Sequence, residues 1–235
     1  HPQGTYRVLA ARGILEILLE TTPQQTDQIL AQANRLIKLS SENTRGNWYN
    51  LIAGMLLEKG VLLEEAERFA QESVAQLGDR KNLGQPQQIA PAGGRIAVAS
   101  NVPRVATLGR IYLKRGKIKE AEALLKEAFA ADSLIPGVLL GLGELAAAKG
   151  DHKAALNYFA EAYLSGRGRE AARKHVEDAY YKLYPTKPND LEAWLDEKYR
   201  KDYPMPIKPD QYTPTAARTN RIVLAEVFTG STCGP

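Results

Sequence analysis

Cysteine and long apolar runs are scarce in this sequence, and each shortage excludes one class of structural feature. Cys233 is the single cysteine among 235 residues, so no disulfide can form within the chain. The cysteine content therefore does not indicate whether the protein resides in an oxidising or a reducing compartment. The apolar runs are short; residues 17–19, for example, are bounded by Glu16 and Glu20. This pattern excludes a membrane-spanning segment and a signal-peptide core, and we expect no membrane partner.

No single sign of charge dominates either. The chain has 31 Lys and Arg against 27 Asp and Glu, a formal net charge of +4. The two signs are interleaved, as in residues 117–120, which is typical of solvated helix faces. We therefore expect no nucleic-acid binding. With 44% hydrophobic and 25% charged residues, the composition is that of an ordinary folded protein.

Histidine is equally sparse. His1, His152 and His175 are scattered and have no cysteine or carboxylate at the spacing of a metal site. The step from Gly109 to Gly116 has too many intervening residues for a phosphate-binding loop, and no Ser or Thr follows it. We expect neither a metal nor a cofactor.

What the sequence does contain is a repeat with a spacing of 34 residues, between residues 102 and 164. Six pairs of residues match at this spacing: Leu108 and Leu142, Gly109 and Gly143, Gly116 and Gly150, Ala121 and Ala155, Leu125 and Phe159, Ala128 and Ala162. A fixed period of this length is typical of stacked structural units.

Each unit has apolar residues at helical spacing on both sides of a glycine, which predicts a helix, a short turn and a second helix. Gly116 and Gly150 follow Lys or Arg, the pattern of a helix C-terminus. Gly109 and Gly143 are predicted to let the paired helices approach closely, while Leu125 or Phe159 fills the remaining volume.

This order of residues, Leu-Gly, a second Gly, then Ala, a large apolar residue and Ala, resembles the tetratricopeptide repeat family. The sequence departs from the family pattern at Val105 and Leu139, where an aromatic residue is usual, and at Ser133 and Arg167, where a proline is usual. The resemblance implies an all-α fold, an α-solenoid of stacked helical hairpins. It also implies a concave groove that binds a protein or peptide ligand.

Weaker patterns extend this organisation along the chain. Thr22 is predicted to cap a helix that begins at Pro23. The aromatic residues around Trp194 are open to two interpretations, a helix core or a ligand platform. We predict an N-terminal helical hairpin (a degenerate repeat or cap) at residues 1–45, a divergent repeat at 46–79, a long loop at 80–101 that is a passive insertion or a binding or lid element, two clear repeats at 102–167, a capping hairpin at 168–203 and a Pro-rich linker at 204–220.

Residues 221–228 are rich in branched and aromatic residues, which predicts an orphan β-strand. The strand leads to Cys233-Gly234-Pro235, which looks like the first three positions of the Cys-Gly-Pro-Cys motif of thioredoxin-like domains. The resemblance implies that residues 221–235 start a truncated domain of that kind and that Cys233 is a candidate redox cysteine; the alternative is an ordinary cysteine. Repeats followed by such a domain also resemble exported bacterial redox proteins. A start at His1 without methionine is compatible with a removed export signal and a cell-envelope location.

The favoured function is therefore a non-catalytic scaffold for protein–protein interaction, with no complete catalytic set in this chain. The alternative is the N-terminal arm of a thiol–disulfide oxidoreductase. Asn50, Arg110, Lys114 and Glu144 are predicted to line the groove. The mixed charges of the last three indicate either pairing between neighbouring repeats or a polar ligand.

Tetratricopeptide domains that clamp C-terminal carboxylates place Lys and Asn at fixed groove positions. The matching positions here are Asn50, Gly54, Thr107, Gly137 and Gly141. Because the cationic donors are absent, we do not expect this chain to bind a free acidic C-terminal peptide at these positions.

Overall fold

The computed structural model describes residues 2–77, 87–89, 97–99, 101–165, 169–187 and 190–204. These residues form ten α-helices and one pair of short strands. The elements are α1 (Pro2–Thr21), α2 (Thr26–Leu39), α3 (Glu42–Lys59), α4 (Leu63–Ala75), β1 (Gln87–Ile89), β2 (Ala97–Ala99), α5 (Val102–Lys114), α6 (Ile118–Ala131), α7 (Pro136–Ala148), α8 (His152–Leu164), α9 (Arg169–Leu183) and α10 (Leu191–Asp202).

Neighbouring helices pack in pairs, α1 with α2, α3 with α4, α5 with α6 and α7 with α8. This arrangement is compatible with stacked helical repeats, and the predicted helical class is confirmed for the described residues apart from the two strands. The chain divides into two compact units, His1–Asp196 and Glu197–Pro235. In the second unit, the described residues include a Lys198 to Asp202 ion pair of 2.6 Å and stacked rings of Tyr199 and Tyr203.

Two of the turns end their first helix as the sequence predicts. Gly116 and Gly150 have φ values of +76° and +82°, a left-handed conformation that glycine adopts without the steric cost of a Cβ. The N–H of Lys117 donates to the carbonyl of Tyr112, and the N–H of Asp151 donates to that of Ala146, each at 2.9 Å. These bonds satisfy carbonyls that the last turn of the helix leaves free.

Two residues lie between Gly60 and the start of α4, one more than between Gly116 and the start of α6. Gly60 ends α3 with φ +66°, and Leu62 then adopts φ +49° before α4 begins. A bulky residue rarely takes a left-handed conformation because its Cβ crowds the backbone. The additional residue after Gly60 is thus accommodated by a strained leucine.

Small and large residues pack against each other inside the hairpins. A Cβ atom added to Gly109 would lie 2.9 Å from Cγ of Leu125, and one added to Gly143 would overlap the ring of Phe159. Both contacts confirm the predicted close approach of α5 to α6 and of α7 to α8. Gly141 of α7 makes a similar contact between hairpins, since its added Cβ would overlap the side chain of Leu125 in α6 of the preceding hairpin.

Buried apolar residues form three clusters along the helices. The first joins α1 to α4 and includes Leu108 and Ile111 of α5. The second lies among α5, α6 and α7, and the third extends from α7 to the start of α10. Tyr180 belongs to the third cluster and contacts Trp194 at a ring distance of 5.7 Å. This packing favours the core interpretation of the aromatic residues.

One type of salt bridge recurs between successive hairpins. Its cation is always the residue just before the turn glycine, and its acid belongs to an earlier hairpin. The three pairs, with their N to O distances, are Lys59 with Glu20 at 2.6 Å, Arg115 with Glu67 at 3.2 Å, and Lys149 with Glu122 at 2.6 Å. The repeat therefore fixes contacts between hairpins as well as within them.

The predicted cap at Thr22 is wrong. Helix α2 begins at Thr26 rather than at Pro23, and the Thr22 hydroxyl donates backward to the carbonyl of Leu18 at 3.3 Å. The side chain thus completes the end of α1 instead of starting α2. A hydroxyl at this position can satisfy a free N–H at the start of α2 or a free carbonyl at the end of α1. The end of α1 lies closer to Thr22 along the chain.

Seven described residues lie within the predicted loop at 80–101, and six of them form an antiparallel pair of strands. Gln87 is opposite Ala99, and Ile89 is opposite Ala97. Most of the predicted linker, the orphan strand at 221–228 and Cys233 lie outside the described residues. The thioredoxin-like segment, the export signal and the oxidoreductase alternative therefore stay predictions.

Candidate functional site

Three charged side chains form a row across the first helices of three successive hairpins. Arg110 of α5 donates from Nε and Nη2 to the two carboxylate oxygens of Glu144 in α7, at 3.0 and 2.9 Å. Its Nη1 donates to Oε1 of Glu58 in α3 at 2.8 Å. We call Glu58, Arg110 and Glu144 the charge ladder.

The ladder is unevenly buried. The side chains of Arg110 and Glu144 are 9% and 11% exposed, whereas that of Glu58 is 54% exposed. Burial lowers the pKa of Arg110, but the adjoining carboxylates of Glu144 and Glu58 outweigh it and leave the pKa raised. Arg110 is thus a fixed cation whose charge is used mainly by Glu144. The geometry agrees with the pairing interpretation of these residues.

Glu58 was not predicted, although the sequence carries a signal for it. Glu58 lies two residues before Gly60, just as Lys114 lies two residues before Gly116. Both therefore occupy the same position in successive repeats. The exchange of Lys for Glu at this position supplies the second carboxylate for Arg110.

A pocket of about 480 Å³ lies on one side of the ladder, between α1, α3 and α5. It contains three of the positions that the family resemblance assigned to the groove, Asn50, Gly54 and Thr107. Three glutamates and a floor of apolar side chains complete it. We call it the acidic pocket; the residues around it also include Glu16, Leu19, Glu20, Leu51, Met55, Glu58 and Lys59.

Asn50 is one of the uncharged polar residues that line the acidic pocket. Its Oδ1 atom is buried and has no hydrogen-bond partner among the residues that the structure describes. An unpaired buried acceptor is costly because it has lost its hydrogen bonds to water.

A second pocket of about 310 Å³ lies on the other side of the ladder, among α5, α7, α8 and α9. We call it the histidine pocket. The ring of His175 stacks on Phe159 with a centroid distance of 4.9 Å, and burial lowers the pKa of His175. Lys114 and Lys182 also line this pocket, and neither has an ion-pair partner within the described parts of the chain.

Of the four residues predicted for the groove, Asn50 lines the acidic pocket, Lys114 and Glu144 line the histidine pocket, and Arg110 lies between them. In the histidine pocket, the residues that the sequence analysis missed include His175, Asp178 and Lys182 of α9. Helix α9 lies beyond the two clear repeats, so the period of 34 could not assign its face.

Within the described ranges, no helix is long and apolar enough to cross a membrane. In comparisons with known proteins, no family model matches this chain and no curated protein sequence matches it.

Proposed function

We propose that this chain is a non-catalytic helical-repeat scaffold that binds an extended segment of a partner polypeptide. The segment would cross the first helices from the acidic pocket to the histidine pocket. The observation that supports this proposal is the placement of two open, partly apolar pockets on either side of the charge ladder. Concave, mostly apolar sites with a few placed polar groups are typical of binding sites.

The dimensions suit a short peptide. Packed helices lie 8–10 Å apart, so two such steps from α3 to α7 span about 16–20 Å. An extended chain covers about 3.3 Å per residue. Five or six residues, roughly, would then reach from one pocket to the other.

Arg110 and Glu144 serve in this proposal as a fixed wall between the pockets rather than as contacts that open for the ligand. Their two hydrogen bonds already hold both side chains. A preformed wall lowers the entropy lost on binding, because few side chains must be ordered. Asn50 and Lys114 are the predicted groove residues that would touch the partner.

Filling the acidic pocket tests the proposal. A side chain built at Gly54 meets no atom within 4 Å, so Gly54→Leu projects into free space beside the pocket. Leucine is also a better helix former than glycine by up to about 1 kcal/mol, and the variant should stay folded. Random heptapeptides displayed on phage would be selected on the wild-type chain, then resynthesised with a fluorescent label. We expect their affinity, measured by fluorescence anisotropy, to fall at least about tenfold in Gly54→Leu, a loss of about 1.4 kcal/mol.

Gly13→Leu is the matched control. Gly13 lies inside α1, and its added side chain would also meet nothing within 4 Å, but it lines neither pocket. Its peptide affinities should equal those of the wild type. Selected peptides that bind Gly54→Leu as tightly as Gly13→Leu would contradict the proposed site, and a selection that enriches no peptide would contradict the proposed function.

A further inference from the structure

We infer that the acidic pocket receives the side chain of a lysine or arginine from the partner polypeptide. This inference rests on the proposed function and specifies the chemistry of the ligand at one end of the site. It depends on three properties of the pocket: a surplus of negative charge, hydrogen-bond acceptors without donors, and an apolar floor.

The surplus of negative charge arises because the single cation Arg110 is paired with two carboxylates. Four carboxylates at and beside the pocket are paired with three cations. The pairs are Glu16 with Arg12, Glu20 with Lys59, and both Glu58 and Glu144 with Arg110. Glu144 takes two hydrogen bonds from Arg110 and Glu58 takes one. Glu58 is therefore the carboxylate whose charge is least compensated.

The three pocket glutamates also have unused acceptor atoms. Glu16, Glu20 and Glu58 each use Oε1 for their ion pair, and the Oε2 atom of each has no hydrogen-bond donor within the described residues. All three side chains are accessible to solvent. A cation entering the pocket can thus bind them without breaking an existing pair.

A further polar group of the pocket, the hydroxyl of Thr107, also favours a donor. The hydroxyl of Thr107 is used as a donor to the carbonyl of Pro103 at 2.9 Å. A carboxylate ligand would find acidic neighbours here, and like charges at an interface are strongly disfavoured.

The floor of the pocket matches the other part of such a side chain. Leu19, Leu51 and Met55 line it, and they offer apolar surface to a chain of methylene groups. Lysine and arginine place their aliphatic stems on apolar surface while the charged end reaches polar groups. Hydrogen bonds from an ammonium or guanidinium to a carboxylate are about twice as strong as neutral ones.

The test is a positional scan with fluorescently labelled hexapeptide libraries, a length that spans the two pockets. In each library one position is fixed as Arg, Lys, Gln, Leu or Glu, the other five are randomised, and both termini are blocked. We expect one position at which Arg or Lys binds at least about tenfold more tightly than Gln, the difference that one charge-assisted hydrogen bond provides. The preference should weaken as NaCl is raised, because the pocket carboxylates are exposed.

The variant Glu20→Gln/Glu58→Gln should abolish this preference and leave the buried Arg110 to Glu144 pair in place. Glu72→Gln/Glu120→Gln is the matched control, since both glutamates are exposed and lie outside the pockets; it should keep the preference. Melting temperatures of both variants check that the fold is retained.

Each other result has a distinct meaning. A preference for Leu or Glu at the position that Gly54→Leu blocks would overturn the inference and leave the proposed function standing. A preference for Arg or Lys that survives in Glu20→Gln/Glu58→Gln would also overturn the inference, because the cation would then bind elsewhere. Libraries that do not bind the wild-type chain at all would overturn the inference and the proposed function together.

Discussion

Arg110 and Glu144 lie 34 residues apart in the sequence and are joined by two hydrogen bonds of 3.0 and 2.9 Å. They occupy the same position in successive repeats, one on α5 and the other on α7. Equivalent positions of stacked repeats face each other. A basic residue at one such position can therefore form a salt bridge with an acidic residue at the same position of the next repeat. This pairing makes the ladder a structural element and changes what mutation of Arg110 should do.

Replacing Arg110 should destabilise the protein strongly. In Arg110→Met the carboxylate of Glu144 would be left 11% exposed without its cation, and breaking one side of a buried pair costs about 3–5 kcal/mol. The free energy of unfolding measured in urea should fall by this amount.

Two controls separate this effect from ordinary loss of a salt bridge. Arg12→Met removes an exposed pair with Glu16 and should cost only about 0.3–0.5 kcal/mol. The double variant Arg110→Met/Glu144→Met replaces both charges and should recover most of the lost stability. Equal stabilities of Arg110→Met and Arg12→Met would show that the ladder is not buried in solution.

Glycines in the first helices should respond in opposite directions to the same substitution. Gly143→Leu forces a side chain into Phe159 and should destabilise by about 1–3 kcal/mol through overpacking. Gly54→Leu meets open space and should stabilise by up to about 1 kcal/mol. Urea unfolding of the two variants measures both effects. A stabilised Gly143→Leu would contradict the packing of α7 on α8.

Acid should destabilise the protein through His175. Burial lowers the pKa of His175 below its usual value of 6.5, so the unfolded chain binds a proton more readily than the folded chain does. Its contribution is full above pH 6.5 and is lost as the pH falls below that value. Urea midpoints measured from pH 7.5 to pH 5 should fall more steeply in the wild type than in His175→Gln. Identical slopes would mean that His175 is as solvated as a free histidine.

The recurrent salt bridge can be followed at Glu122. Hydrogen bonds from Lys149 and Lys126 lower the pKa of Glu122 to about 2. The stabilisation it gives is therefore present above the usual pKa of 4.5 and is lost as the pH falls toward 2. Titration of the Glu122 side-chain carbon by NMR should show the low pKa, and Lys149→Ala should move it upward. A Glu122 that titrates normally in the wild type would exclude a stable bridge to Lys149.

Features that depend on local sequence or on the period could be predicted. The turn glycines and the contacts of Gly109 and Gly143 follow from helix endings and from a spacing of 34 residues. Glu58 was missed because it contacts Arg110 at a separation of 52 residues. The additional residues at 80–101 make this separation differ from the repeat spacing of 34. His175 was missed because its pocket combines helices whose relative rotation no spacing specifies. At Thr22, two backbone ends compete for one hydroxyl, and sequence alone does not decide between them.

Arg115 and Lys149 each lie just before a left-handed glycine. Because the two positions are equivalent, a whole repeat can be deleted or inserted between them. Deleting residues 116–149 would join Arg115 to Gly150 and keep the order of helix, cation and turn. Arg115 would retain Glu67 as its acid, and Gly109 would face Phe159 in place of Leu125, as Gly143 now does. A gene that loses or duplicates the codons for residues 116–149 would therefore encode a protein with one repeat fewer or one repeat more.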